Sequence, residues 1–406
     1  MAIVKKLCHS WRLLIIPFAV LFCYLLAVRI VNSIDYHNND FFTFWLAGHM
    51  VTQNGNPYSP EQWVAGHGQF GVTWIPNQVY VYPLPLSLLF APLGLLPLYQ
   101  SYILWVALSQ GMILASVFLL CPPERELNTR YLFLSFLVGV IFFRPTTLTL
   151  VTGQLSAWLL FLLVCTAQLW TKEKWEWGSF LLPLLLLKPN LGVPIVLLLA
   201  AWLLFTKRYR SLVSIGLGGT LLLAASMIKN PAWPLEYLSI GNAKLSHDFG
   251  FSPTVWGLAN LACGHDHTCS LVVGGTMAAL FVFTTFWLLA RRRRSLTPLW
   301  VISLSVTVSL LVTPYSWTYD QLLLLIPIAA VTFALGQRRH GFLPAALLFL
   351  GIDILSVFLL FFNTTLDVEI LNAIIPLAML VLVIWMLLRK NKPQGSETLP
   401  IQAGIR

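Results

Sequence analysis

The chain reads as a dozen apolar runs parted by short polar connections. The runs fall near 13–31, 99–120, 131–143, 148–170, 177–188, 190–206, 211–228, 270–290, 296–313, 320–336, 342–362 and 370–389. A full bilayer crossing takes about 20 apolar residues. The runs 131–143 and 177–188 are too short for that alone, and they stop at Arg144-Pro145 and Lys188-Pro189. Each predicts a broken helix ending at a protein-lined cavity, where irregular backbone is tolerated at membrane depth. The proline-broken run 84–97 (LPLSLLFAPLGLLP) predicts a re-entrant or half-spanning element. The expected fold class is an all-α polytopic membrane protein with about 11–13 transmembrane or half-spanning helices.

Composition agrees with this pattern. Hydrophobic residues make up 58% and charged residues 10% of the chain, against roughly 25% charged in soluble domains. Residues 1–390 read as one integral membrane domain and 391–406 as a disordered tail. The charged start and the apolar stretch from Leu13 to Val28 resemble a signal peptide. No clean cleavage site follows and many spans come later, so an uncleaved first span is expected.

The charges sort by connection. Twenty of the 25 basic residues lie at the termini or in alternate loops, including Arg208, Arg291 to Arg294, Arg338 and Arg339. The positive-inside rule makes that face and both termini cytoplasmic in a plasma (inner) membrane. The other face holds nine acids and five bases: Arg29, Arg144, Lys188, Lys229 and Lys244. Its two large loops, 32–83 and 229–269, are rich in Trp, Tyr, Pro and Gly. Such loops suit short interfacial helices and headgroup-level aromatics.

Candidate chemistry concentrates on the outer face. Asp40 opens DFFTFWLAGHM, which reads as an amphipathic helix lying on the membrane. It is either a helix N-cap or a general base, with Asp35 as its competitor. Lys188 and Arg144 either snorkel to headgroups or hold a phosphate, with Arg as a fork and Lys as a point charge. Gln154 in TGQLSAW pairs with a neighbouring helix or a ligand. In TPYSWTYDQ, Asp320 is a cap or a site residue, and Pro314, Tyr315 and Trp317 form an aromatic corner suited to stacking on a sugar. The stretch CGHDHTC offers a disulfide between Cys263 and Cys269, or metal ligands at no zinc-finger spacing. Cys8, Cys23, Cys121 and Cys165 read as plain thiols. Asp353, inside a span, is paired in the bundle or lines a path.

These residues resemble glycosyltransferase family 87. Asp40-Phe41-Phe42 with Phe44-Trp45, Ala47 and Gly48 is similar to the family's D-[FY]-x-x-[FY]-x-x-A opening. The similarity continues through Gly55-Asn56-Pro57-Tyr58, Tyr82-Pro83-Leu84-Pro85, Ala91-Pro92-Leu93, Leu96-Pro97 and Trp105. It ends with Gly153-Gln154, Lys188-Pro189 and Ser316-Trp317. The resemblance implies a GT-C fold with an extracytoplasmic active site. It implies transfer of a hexose, mannose foremost, from a polyprenyl-phosphate sugar to a lipid or glycan acceptor. The reaction would be inverting, with no metal and no cofactor. Asp40 would be the base, and Lys188, with Arg144, would meet the donor phosphate. Asp35, Tyr82, Gln154, Trp317, Tyr319 and Asp320 would contact substrate. One departure stands out: members often carry S-W-x-H-H in the outer turn, and Tyr319 and Asp320 replace both histidines here.

Two other classes fit the span pattern. A transporter or flippase also uses broken helices and intramembrane charge, and would show inverted repeats. A structural subunit of an envelope assembly would leave Asp40 and Lys188 without a shared site.

Overall fold

The computed structural model describes residues 2–72, 75, 77, 79–120, 127–248, 250–336, 343–366 and 369–389. The tail expected to be disordered, 391–406, lies outside the described residues. Eighteen α-helices and no strand occur among the described residues. The first half runs α1 (Ala2–Val31), α2 (Asp40–Thr52), α3 (Pro60–Gln69), α4 (Leu84–Gly94), α5 (Leu98–Leu120), α6 (Leu127–Phe142), α7 (Arg144–Thr152), α8 (Ser156–Thr171) and α9 (Trp175–Leu181). The second half runs α10 (Pro189–Phe205), α11 (Tyr209–Met227), α12 (Trp233–Asp248), α13 (Val255–Ala262), α14 (His267–Arg291), α15 (Pro298–Val312), α16 (Leu325–Gly336), α17 (Leu343–Leu366) and α18 (Ile374–Arg389). Short 3-10 turns at Leu182–Leu187, Thr318–Leu324 and Ile370–Ala373 precede α10, α16 and α18. The architecture is all-α and polytopic. Among the described residues, five helical segments are long and apolar enough to cross a bilayer, and a sixth counts if α6 and α7, bent by 53°, form one span.

Two expectations about elements are corrected. The apolar run 148–170 is not one span. It breaks at Gly153, whose φ of 66° ends α7 in the left-handed region. Glycine enters that region without the steric penalty of a Cβ. A Cβ there would also stand 2.6 Å from that of Phe41. Nor is α2 a surface helix: ten of its thirteen residues are buried, on all sides. It lies against α4, where a Cβ on Gly48 would meet the Phe90 carbonyl at 2.6 Å. Small residues at such crossings let helix backbones approach closely. The same packing accounts for the short run 84–97, which is α4 and the turn after it.

The two large loops fold onto each other. Asn56 caps its own turn by accepting from the Tyr58 amide at 3.0 Å, and its Nδ2 donates to Glu236 at 3.4 Å. Lys229 donates to Asn54 at 3.3 Å. Tyr58 in turn donates to the Tyr82 carbonyl at 2.7 Å, fixing the strap that enters α4. A disulfide joins Cys263 and Cys269 around the start of α14, and Cys23 and Cys165 are free thiols.

Candidate active site

The break between α7 and α8 is held from three directions. Asn39 Nδ2 and the Tyr102 hydroxyl both donate to the Val151 carbonyl, at 2.9 and 2.5 Å. Trp105 Nε1 donates to the Gly153 carbonyl at 2.8 Å. Phe41 stacks on Tyr102 with centroids 4.4 Å apart, an arrangement worth about 0.5–1.5 kcal/mol beyond area burial. Unwound at this point, the chain places Gln154 between two helix ends rather than on a helix face.

The first of those ends is α2. Its N-cap is Asn39, whose side chain accepts from the Phe41 amide, so Asp40 is not the cap. Asp40 is the first helical residue, where a carboxylate is favoured by the helix dipole. Its Oδ2 accepts from Gln154 Nε2 at 2.7 Å. The second end is α10. The 3-10 turn before it stops at Lys188, and Pro189 disfavours helical backbone there; Lys188 has φ −123° and ψ 80°. Lys188 Nζ donates to Gln154 Oε1 at 3.1 Å and to Asp320 Oδ1 at 2.5 Å.

Lys188 is therefore not a stranded charge. Only 3% of its side chain is exposed, and none of Asp320's. A cation at a helix N-terminus opposes the dipole, and Asp320 offsets it. Asp320 also accepts from the Ser156 hydroxyl at 2.9 Å and, through Oδ2, from the Trp317 amide at 3.1 Å. It thus caps its own 3-10 turn while holding Lys188. The turn is pinned to α10 by Asn190 Nδ2 donating to the Tyr315 carbonyl at 2.9 Å. Tyr319 lies under Lys188 Nζ, 4.7 Å from ring centre, and its carbonyl accepts from Thr149.

Arg144 repeats the pattern at the start of α7. It faces Glu369 at 3.8 Å, and its Nη1 is buried with no hydrogen-bond partner among the described residues. Glu369 accepts from the Thr318 amide and hydroxyl at 3.2 and 2.7 Å, which ties this pair to the same 3-10 turn. The structure thus gives the two candidate phosphate ligands, Lys188 and Arg144, separate carboxylate partners.

The remaining candidates divide. Tyr82 is half-buried and edge-on to Phe44 at 5.1 Å. Burial pushes its hydroxyl well above the ordinary tyrosine value, and the Asp40 carboxylate adds to this. The hydroxyl stays a neutral donor. Trp317 is half-buried at the start of its turn. Asp35 is exposed and bound locally, accepting from the His37 and Asn38 amides and from Asn38 Nδ2 at 2.7 Å. Those bonds lower its pKa, led by the Asn38 side chain. Sequence reasoning passed over Asn39, Ser156, Tyr102 and Glu369. The polar start of TGQLSAW was a signal for Ser156, and the outer-face acids were one for Glu369.

A groove of about 950 Å³ opens between α6 and α17. Val138, Phe142, Phe349 and Ile354 line it, and so does Asp353, whose Oδ1 is buried with no partner among the described residues. It reaches Phe142, two residues before Arg144.

Compared with known families, residues 80–314, more than half of the chain, match the model for glycosyltransferase family 87. The chain belongs to glycosyltransferase family 87. No curated protein and no solved structure shows significant similarity to it. The transferase therefore takes a sugar donor and an acceptor in the setting of a lipid bilayer. Tyr82, Arg144, Gln154 and Lys188 fall inside the matched segment, whereas Asp40, Trp317, Tyr319 and Asp320 flank it.

Proposed function

We propose that this transferase moves a hexose, mannose foremost, from a polyprenyl-phosphate sugar to an extracytoplasmic lipid or glycan acceptor. The observation that carries the reading is the hydrogen-bonded chain Asp40–Gln154–Lys188–Asp320. It holds one carboxylate, Asp40, at a helix start, fixed by a neutral amide and backed by a cation. That is the equipment of a general base. Asp40 takes the proton of the acceptor hydroxyl as its oxygen attacks the anomeric carbon. The bond from that carbon to the phosphate oxygen breaks on the opposite side, giving inversion and polyprenyl phosphate.

Charge develops on the leaving phosphate and calls for fixed cations. Arg144, with an open Nη1 and a stretched ion pair, meets the phosphate directly. Lys188, committed to Asp320 and Gln154, supplies positive potential and sets Gln154 against Asp40. Tyr82, Trp317 and Tyr319 offer a donor hydroxyl and faces for a sugar. The polyprenyl chain lies in the apolar groove between α6 and α17, with its phosphate toward Arg144. Orientation rests on charge: the bases gather at the far ends of the helices, and the acidic loops surround the site.

Reconstituted protein tests this with a panel of polyprenyl-phosphate sugars, reading released polyprenyl phosphate and product anomer. Asp40→Asn is expected to abolish release while retaining donor binding, and Arg144→Ala to weaken donor binding. Full release by the Asp40→Asn protein, or release with none of the donors, overturns the proposal.

A further inference from the structure

The helices α10 and α15 each carry the active site at one end. Lys188 precedes α10, and the turn holding Asp320 follows α15. Their opposite ends enclose a second pocket of about 530 Å³, within the roughly 300–1,000 Å³ usual for ligand sites. A helix of 17 residues rises about 25 Å, so the two sites lie at opposite ends of most of a membrane core.

Lys207, Arg208, Arg293 and Arg294 line this pocket, with Trp175 and Trp202 among its apolar walls. Four cations from two separate chain segments meet in one concavity. Glu173 offsets one of them, at 4.0 Å from Arg208. The Arg208 guanidinium carbon lies over the Trp175 ring, 3.3 Å from its centre. Lys207 sits at φ 60°, in the left-handed region that favours glycine. The tight turn it makes after α10 brings two successive cations to the pocket. Arg291 and Arg389, by contrast, stack on Trp287 and Trp385 and do not line it.

We infer that this pocket binds the headgroup phosphate of an anionic phospholipid from the cytoplasmic leaflet. Basic pockets between transmembrane helices at that face are suited to such headgroups. The aromatic and aliphatic walls suit the glycerol backbone and first methylenes. The assignment of leaflet rests on the proposed orientation of the chain.

The test is binding of phosphatidylglycerol to the purified full-length chain in phosphatidylcholine nanodiscs, read by native mass spectrometry and by the shift in melting temperature. The double variant Arg293→Gln/Arg294→Gln is expected to lose roughly thirtyfold in affinity. The matched control Arg291→Gln/Arg389→Gln removes the same charge outside the pocket and should lose much less than the pocket variant, because those guanidiniums lie over Trp287 and Trp385 rather than against the headgroup. Thr297→Asp supplies a second variant: it places an anion on the pocket wall while keeping a good N-cap for α15, and should also lose binding. Equal losses in pocket and control variants would make the attraction a property of the whole basic face and overturn the site. Equal protection by inorganic phosphate would make it a soluble-anion site and overturn the lipid assignment. No sugar donor is present, so failure here leaves the proposed reaction standing.

Discussion

Lys188 and Asp320 meet at 2.5 Å although 132 residues separate them, and both are buried. Breaking a buried pair on one side strands a charge and costs about 3–5 kcal/mol. Asp320→Asn is expected to lose about that much on denaturation in detergent. The double change Lys188→Met/Asp320→Leu should regain only part of it: both charges leave together, but the Ser156 hydroxyl and the Trp317 amide lose their acceptor. Equal stability of wild type and Asp320→Asn would contradict this.

Gln154 is the link between Asp40 and the ion pair. Gln154→Leu should lower turnover more than donor affinity, since it removes a positioning contact rather than a substrate contact. A double-mutant cycle over Asp40→Glu, which keeps a carboxylate and residual turnover, and Gln154→Leu should give a coupling of about 0.5–3 kcal/mol in transition-state free energy. Independent, additive effects would remove Gln154 from the role.

Gly153→Ala combines a left-handed backbone with a clash against Phe41. Each effect costs on the order of 1–3 kcal/mol. The expected result is a melting temperature well below wild type. Activity should also fall, because Gln154 moves with the hinge. An unchanged melting temperature would mean that the break is not set by this residue.

His67 is buried beneath Phe42 and Trp63, and its Nε2 has no partner among the described residues. Burial lowers its pKa below the ordinary 6.5. Between the two values the unfolded chain binds more protons than the folded one, so stability rises with pH there. It should be fully present above about pH 6.5 and decline as pH falls below it. In His67→Gln this pH slope should flatten, measured by melting temperature across pH 5–8.

How much of this was legible in the sequence differs by feature. The all-α, polytopic character was, because apolar runs of membrane length carry a direct signal, although 148–170 proved to be two helices. The cations of Lys188-Pro189 and Arg144-Pro145 were visible as anomalies in apolar surroundings. Their partners were not: Asp320 and Glu369 come from the far half of the chain, and no local pattern pairs them. The break at Gly153 was hidden because both flanks are apolar. The burial of α2 was hidden because its polar edge is covered by α4, an element too short to read as a partner. The matched family segment explains why Gly153-Gln154 and Lys188-Pro189 could be singled out before any geometry was known.

Gln154 faces an anion on one side and a cation on the other, and an amide has one end for each. Its side chain is thereby oriented without ambiguity: the nitrogen toward Asp40, the oxygen toward Lys188. A flip would set carbonyl against carboxylate and amine against ammonium, two repulsions at once. Protonating Asp40 removes one of those penalties. Neutralising Asp40 therefore loosens the amide at its nitrogen end alone, while Lys188 keeps hold of its oxygen.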